Sequence, residues 1–487
     1  MTPPLPIECI EDIISNIVED KDTLHSFLLV SRYWCKHVAP ILWKRPFSLL
    51  GRPSALLIRT YIMCLSQESK HLLSSHKIDL NFANKCGVPY FDYATFLRVL
   101  DYRGLCCSIF QWLSLHKDYR FDKLVFLFAR ELCKLFMSRC SSFDGLYMDT
   151  RGMDTWELQM DYLLIPCLPG AEMCLAKLEH FTCGGNYNGS EMLCALSKVC
   201  KNIRKLDIYN SNNFEPMGGY LAMLVEAQKG LERFTLIGYY CLISDVVLAL
   251  NTQSRSLTYV ELTINDFFED DLSLSSLANC KNLETLIFDD CVNLTTQKML
   301  PLMNARLPHI KTIVFTRTDA EPKDVISFIV SNHESVQNVS VMFTERDEIS
   351  QLYKMLSACV QLEKLIISGW RLNVDEFLGE IGKLLPLKLK YLNITAEWKF
   401  QPASLKKCLE NCKSPLEYFG LPLCECLKDE HLDIIVEYLR RKTTMLKCLR
   451  IFDAGKKIEQ GVKRVSKFVD EVELVNPDEH VLSTFSD

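Results

Sequence analysis

The chain has 487 residues, of which 48% are hydrophobic and 24% charged, with a formal net charge of −6. That balance excludes a disordered chain and argues against a general nucleic-acid surface, which would be basic. No basic stretch precedes an apolar run at the N-terminus, so no secretory signal is read there. The apolar run from Leu124 to Ala129 is far too short to span a bilayer, so no membrane partner is expected.

The 22 cysteines are scattered along the chain, many beside leucines. Buried free thiols in a reducing compartment are the better reading, with a cytoplasmic or nuclear location.

Near the N-terminus, Ile10, Ile13, Ile14 and Ile17 recur at i, i+3, i+4 and i+7, one face of a helix. Trp34, Val38, Ile41 and Leu42 make a second stripe, and Thr23 is placed to cap a short helix between them. Three short helices cannot bury this many large apolar groups among themselves. Part of that surface must go to another domain or another chain.

The order Leu5-Pro6, then Val30-Ser31-Arg32-Tyr33-Trp34, then Leu42-Trp43-Lys44-Arg45-Pro46-Phe47 resembles an F-box. Trp34-Cys35 and the Leu42-Trp43 and Pro46-Phe47 pairs are most similar to the fungal type. The resemblance implies a three-helix domain over 1–50 that docks on a Skp-family adaptor. Through it the chain would join the cullin and RING subunits of an SCF-type ubiquitin ligase. The adaptor-binding residues it implies are Leu5, Pro6, Ile10, Ile13, Leu24, Leu28, Val30, Trp34 and Trp43.

Residues 51–140 read as an irregular helical segment or as degenerate repeats. Arg130 to Met137 has helical character. Phe143-Asp144-Gly145-Leu146-Tyr147-Met148 reads apolar-x-x-apolar-x-apolar, a short strand with alternating faces, and Phe121 to Phe126 fits that template loosely.

From there the template returns at Leu178, Ile203, Leu231, Leu257, Leu283, Ile310, Val336, Leu362, Leu389, Leu416 and Leu446, at intervals of 25 to 30 residues. Helical segments follow most of these strands: Met192 to Val199, Leu221 to Gln228, Val325 to Ser331, Ile349 to Ala358, Val374 to Leu385 and Leu432 to Arg441. Each unit is too small to hold a core alone, and stacking buries the leucines of neighbours in one interior. The array is similar to leucine-rich repeats. Asn186, Asn265, Cys291 and Cys424 stand two places after a strand, where such repeats turn the chain, and Cys200, Cys280 and Cys359 precede strands as in the cysteine-containing class. The predicted fold is α/β: a three-helix F-box, the segment 51–140, a right-handed solenoid over 141–454 with parallel strands on its concave face, and a cap or tail over 455–487.

Residues flanking the buried pair of each strand are predicted to face outward. Tyr209, Glu261, Ile287, Val314, Met342 and Ile366 are the candidate substrate contacts, joined by Trp370, Arg371 and Trp398 on the adjoining rim. Both indoles could instead pack into the loops of their own repeats.

Chemistry is sparse. Gly184-Gly185-Asn186-Tyr187-Asn188-Gly189 lacks the lysine of a phosphate loop. Cys424-Glu425-Cys426 with His431 lacks a fourth zinc ligand. With no catalytic spacing, no enzyme, cofactor or metal is expected. The predicted role is that of a substrate-recognition subunit, with the repeats holding an unidentified target protein. The alternative is a ligase-independent scaffold whose N-terminal helices only cap the array. Exposed Leu5, Pro6 and Trp34 would favour the first; full burial against residues 51–100 would favour the second.

Overall fold

The computed structural model describes residues 7–18, 20–49, 51–76, 78–80, 89–115, 121–151, 163–185, 189–210, 217–269, 272–441 and 446–476. Two compact units divide the chain, 1–239 and 240–487.

The first unit opens with α1 (Ile7–Ser15), α2 (Lys21–Leu28) and α3 (Arg32–Leu42). The cap of α2 is Asp20 rather than Thr23: its carboxylate accepts from Thr23 N at 3.0 Å and from the Thr23 hydroxyl at 2.7 Å. The free N–H groups of the first turn favour the charged acceptor, and these bonds hold the Asp20 carboxyl below its usual value. Ser31 caps α3 through Trp34 N at 3.3 Å. Ile10, Ile14, Leu24 and Val38 are buried at the centre of the three helices, with Ile17, Phe27, Leu28, Trp34, Ile41 and Leu42 packed around them.

Residues 51–140 are more regular than their sequence suggests. Helices run over Ala55–Cys64, Gln67–Ser75, Tyr102–Ser114 and Phe121–Arg139. The last includes the predicted helix, and it overturns the loose strand reading of Phe121 to Phe126. Its core-facing residues Phe128, Leu132 and Phe136 recur at helical spacing and are fully buried.

The strands of the first unit are β1 (Val99–Asp101), β2 (Gly145–Asp149), β3 (His180–Gly185), β4 (Lys205–Asn210) and β5 (Arg233–Leu242), the last crossing the boundary between units. Each pairs in parallel with its chain neighbour. The second unit holds β6 (Tyr259–Asp266), β7 (Thr285–Asp289), β8 (Thr312–Thr316), β9 (Asn338–Phe343), β10 (Lys364–Gly369), β11 (Tyr391–Ala396), β12 (Tyr418–Leu421), β13 (Cys448–Phe452) and β14 (Glu471–Val475), again parallel and in chain order. All eleven repeat starts from Leu178 to Leu446 lie two residues ahead of a strand. All six predicted helical segments fall on helices, of which Ile349–Ala358 matches at both ends. β14 extends the array into the predicted tail; residues 477–487 lie outside the described residues.

Within each unit, most strands are entered in the same way. One carbonyl ahead of a strand accepts two N–H groups at the head of the next. Arg98 O takes Asp144 N and Gly145 N, Asp144 O takes Glu179 N and His180 N, and far along the chain Glu363 O takes Lys390 N and Tyr391 N. Lys44 O does the same for Arg98 N at 2.9 Å and Val99 N at 3.0 Å. The end of the N-terminal helical segment is thus the first rung of the repeat ladder.

The described cysteines are free, and Cys106, Cys133, Cys200, Cys280, Cys291, Cys359, Cys408 and Cys424 are buried. Burial pushes the Cys200, Cys280, Cys291 and Cys359 thiols up to about 12, because the thiolate loses its water. A thiol reagent at pH 8 should therefore modify the exposed Cys9 and Cys167 ahead of these buried thiols. Denaturation should release nearly all 22. Disulfide-linked peptides in the mass spectrum of freshly purified protein would overturn this reading.

Candidate protein-interaction surfaces

The N-terminal helices sort the predicted adaptor contacts into two groups. Ile10 and Leu24 are fully buried and hold the three helices together, so they offer no surface to a partner. This corrects their assignment as contacts, and the reason is the small size of the cluster, which needs these side chains as its core. Ile13 and Val30 are exposed, and Val18, Leu29 and Tyr33 join them as apolar groups left facing solvent. Leu28 is half-buried, and so is Trp34, whose ring lies 4.8 Å from Phe27. Trp43 turns toward the following helices, 5.3 Å from Tyr61 and 4.3 Å from Tyr93. It is half-buried there and acts as a joint rather than a free contact. Leu5 and Pro6 lie outside the described residues.

On the strand face, alternation alone does not settle exposure. Parallel neighbours stand about 4.8 Å apart, so outward side chains in one register column shield one another. In the second unit the column runs Glu261, Ile287, Val314, Ser340, Ile366, Asn393. Ile287, Val314 and Ile366 are only 8%, 2% and 6% exposed, which corrects their assignment as substrate contacts. Glu261 and Met342 remain half-buried. In the first unit Tyr209 is half-buried under the Arg151 guanidinium, 3.5 Å from its ring centre.

Trp370 and Trp398 part company. β10 and β11 pair Gly369 with Ala396 at their ends, and the next bridge, Asn373 with Lys399, is shifted by one residue. Trp370 is 62% exposed, whereas Trp398 is fully buried among Leu378, Ile394, Phe400 and Leu405. This corrects the placing of Trp398 on the rim. Arg371 is exposed and paired with Glu397 at 2.5 Å and Glu425 at 3.6 Å.

The sulfur and imidazole groups near residue 426 are engaged with backbone. Cys424 Sγ donates to Ala396 O at 3.6 Å and Cys426 Sγ to Trp398 O at 3.5 Å. His431 Nδ1 accepts from Lys428 N at 3.2 Å, while Nε2 lies 3.3 Å from Phe400 O. These side chains zip one repeat onto the loop of the preceding one, as the turn reading of Cys424 predicted. Cys291 does likewise toward Leu262 O at 3.2 Å, and Asn265 Nδ2 bonds Thr263 O at 2.8 Å; Asn186 lies outside the described residues.

Burial holds the His431 imidazole below its usual 6.5. A lowered histidine value means that the unfolded state takes up protons first as the pH falls. The stabilising contribution of neutral His431 is therefore full above pH 6.5 and is lost progressively below it. The apparent melting temperature should drop as the pH falls below about 6.5, and His431→Gln should flatten that slope. An unchanged slope in the variant would refute the assignment.

Gly184 and Gly185 serve close packing. A Cβ at Gly185, whose φ is +114°, would lie 2.2 Å from the Thr150 hydroxyl. Among the described residues, one group of possible metal donors exists, Cys448 with Glu471 and Glu473. Its thiol is pushed up to about 12 by burial and the adjacent carboxylates, and Glu473 is shared with Arg450 at 3.4 Å, a poor donor set. No helix among the described residues is long and apolar enough to cross a membrane.

No family model and no curated protein matches the chain. Among solved structures, a leucine-rich repeat-containing protein of Legionella pneumophila, LegL7, is 14% identical, covering 72% of this chain and 90% of that one, with a TM-score of 0.28. The fold assignment accordingly rests on the chain itself: a period of 25 to 30 residues, one strand per period and parallel neighbour-to-neighbour register fit a leucine-rich-repeat array.

Proposed function

We propose that the chain is a non-catalytic protein-interaction subunit that joins a Skp-family adaptor, through its N-terminal helices, to a target protein held on its repeats. It would thereby act as the substrate receptor of an SCF-type ubiquitin ligase. The observation that supports this reading most is the state of α1 to α3. They bury a core of their own and still leave Ile13, Val18, Leu29, Val30 and Tyr33 facing solvent. A helical cap serving only the array would turn such groups inward, since exposed apolar residues on small helices lose stabilisation and invite association. A receptor of this kind raises the effective concentration of target lysines near a ubiquitin-loaded enzyme.

The test uses Val30, whose side chain is 61% exposed. The full chain, co-expressed with a Skp-family adaptor, should co-purify with it. Val30→Asp should weaken that capture by at least about tenfold, the loss associated with an interface anchor. The melting transition should not move. If the unaltered chain captures no Skp-family adaptor, the ligase-independent scaffold takes the place of this proposal.

A further inference from the structure

The second unit holds a cavity of about 370 Å³ at the C-terminal ends of β8 and β9. Its volume is near the lower end of the range for ligand sites, about 300 to 1,000 Å³. The floor is apolar, formed by Phe315, Val325, Val341 and Phe343. The rim carries four carboxylates, Asp319, Glu321, Glu345 and Glu348, and no lysine or arginine lines the space.

Three of these carboxylates, Asp319, Glu345 and Glu348, are held in place without being neutralised. Asp319 accepts Asn293 N at 2.5 Å and Leu294 N at 2.9 Å. Glu348 accepts Thr344 N at 2.7 Å and Glu345 N at 2.9 Å, and Glu345 returns the bond in a reciprocal cap. Backbone N–H groups orient an anion but leave its charge. The cations nearest in sequence are turned elsewhere: Arg317 pairs with Asp289 and Arg346 with Glu376. Lys323 lies two residues beyond Glu321 but does not line the cavity.

A second feature adjoins it. Phe343 of the floor is in register with Gly369, the last residue of β10. Gly369 has φ +154°, and a Cβ there would lie 2.0 Å from Phe343 O. Only glycine lets the chain pass so close, and the next residue is the exposed Trp370. A flat aromatic face therefore stands one repeat away from an acidic, apolar-floored cavity.

We propose that this cavity is a docking site for a cationic segment of a protein partner, one Lys or Arg side chain entering the acidic space while its flanking residues lie against Trp370. Long basic side chains match the site in both parts, an apolar stem over the floor and a charged head at the rim. An indole face adds to the attraction for a cation or an extended backbone. The inference rests on the protein-interaction part of the reading above and names the chemistry of the target.

The probe is a set of four fluorescein-labelled peptide pools with randomised flanks and a fixed central Arg, Lys, Gln or Glu, titrated against the full chain by polarisation. The Arg and Lys pools should bind at least about tenfold more tightly than the Glu pool, with a margin that shrinks as salt rises. Glu321 is exposed and sits at the rim. Glu321→Lys should abolish or invert the preference at an unchanged melting temperature, which a purely structural role would not do. Trp370→Ala should weaken all binding pools. Equal binding of the four pools, no binding by the basic pools, or an unaltered preference in Glu321→Lys would overturn the proposal. Adaptor capture through α1 to α3 is read in parallel: its retention alongside any of these failures leaves the receptor reading intact and removes only the cationic-segment site.

Discussion

Leu24→Ala should unfold the N-terminal helices and abolish adaptor capture while leaving the repeats folded. Leu24 is fully buried, one of four residues at the centre of α1 to α3 among the described residues. Truncating a core leucine costs about 2–5 kcal/mol. A core this small supplies no more than about that amount. The repeats touch mainly their neighbours, so the lesion should stay local. Amide hydrogen exchange should lose protection over residues 7–42 and keep it from residue 99 onward. The comparison with Val30→Asp separates two causes of lost binding, since that variant should retain protection throughout. Full protection of α1 to α3 in Leu24→Ala would show that the cluster draws its stability from elsewhere.

Trp398→Ala should be the most damaging single truncation in the second unit. The indole is fully buried and packs against Leu378 of one repeat and Phe400 and Leu405 of the next. Removing a buried tryptophan costs about 3–5 kcal/mol. The cavity it leaves adjoins an existing void of about 20 Å³, so collapse cannot easily refill it. Exchange should rise in Asp375–Leu384 and Pro402–Asn411, with little change over Tyr259–Asp266. Because arrays of repeats need not unfold in one step, a local probe is preferable to a single melting temperature. The matching Trp370→Ala should alter exchange hardly at all, since that indole is exposed.

The two tryptophans also show where reading a sequence succeeds and where it stops. The strand frame was legible because Leu-x-x-Leu-x-Leu spacing reports a buried alternating face directly, and all eleven starts from Leu178 carry strands. β1 and β14 fit the same template, as Leu97-Arg98-Val99-Leu100-Asp101-Tyr102 and Val469-Asp470-Glu471-Val472-Glu473-Leu474. They were missed because they break the interval: Leu97 stands 46 residues before Phe143, and Val469 23 after Leu446. Exposure was less legible. Whether Ile287 or Glu261 meets solvent depends on which neighbours share its column, and that is set by register rather than by its own strand. Trp370 and Trp398 both follow strands, yet Trp370 stands one place past the end of β10 and Trp398 two places past the end of β11, and in an extended chain one place reverses the direction of a side chain. The acidic cavity was not legible at all. Its four carboxylates come from two separate turns, 319–321 and 345–348, which only stacking of β8 on β9 brings together.

The rung at Lys44 sets the stiffness of the handle. Its carbonyl is fixed by two N–H groups of the first strand, its side chain reaches Asp144 at 2.9 Å, and Trp43 beside it is wedged against Tyr61 and Tyr93. These three contacts on two adjacent residues tie the N-terminal helices to the first repeats. A body gripped at α1 to α3 would therefore carry those repeats at one fixed angle, like a blade riveted to its hilt, rather than sweeping them through a cone. If the chain is the receptor proposed above, reach is then a matter of geometry and not of diffusion: lysines of a target would fall within range, or miss it, according to which of those first repeats holds that target.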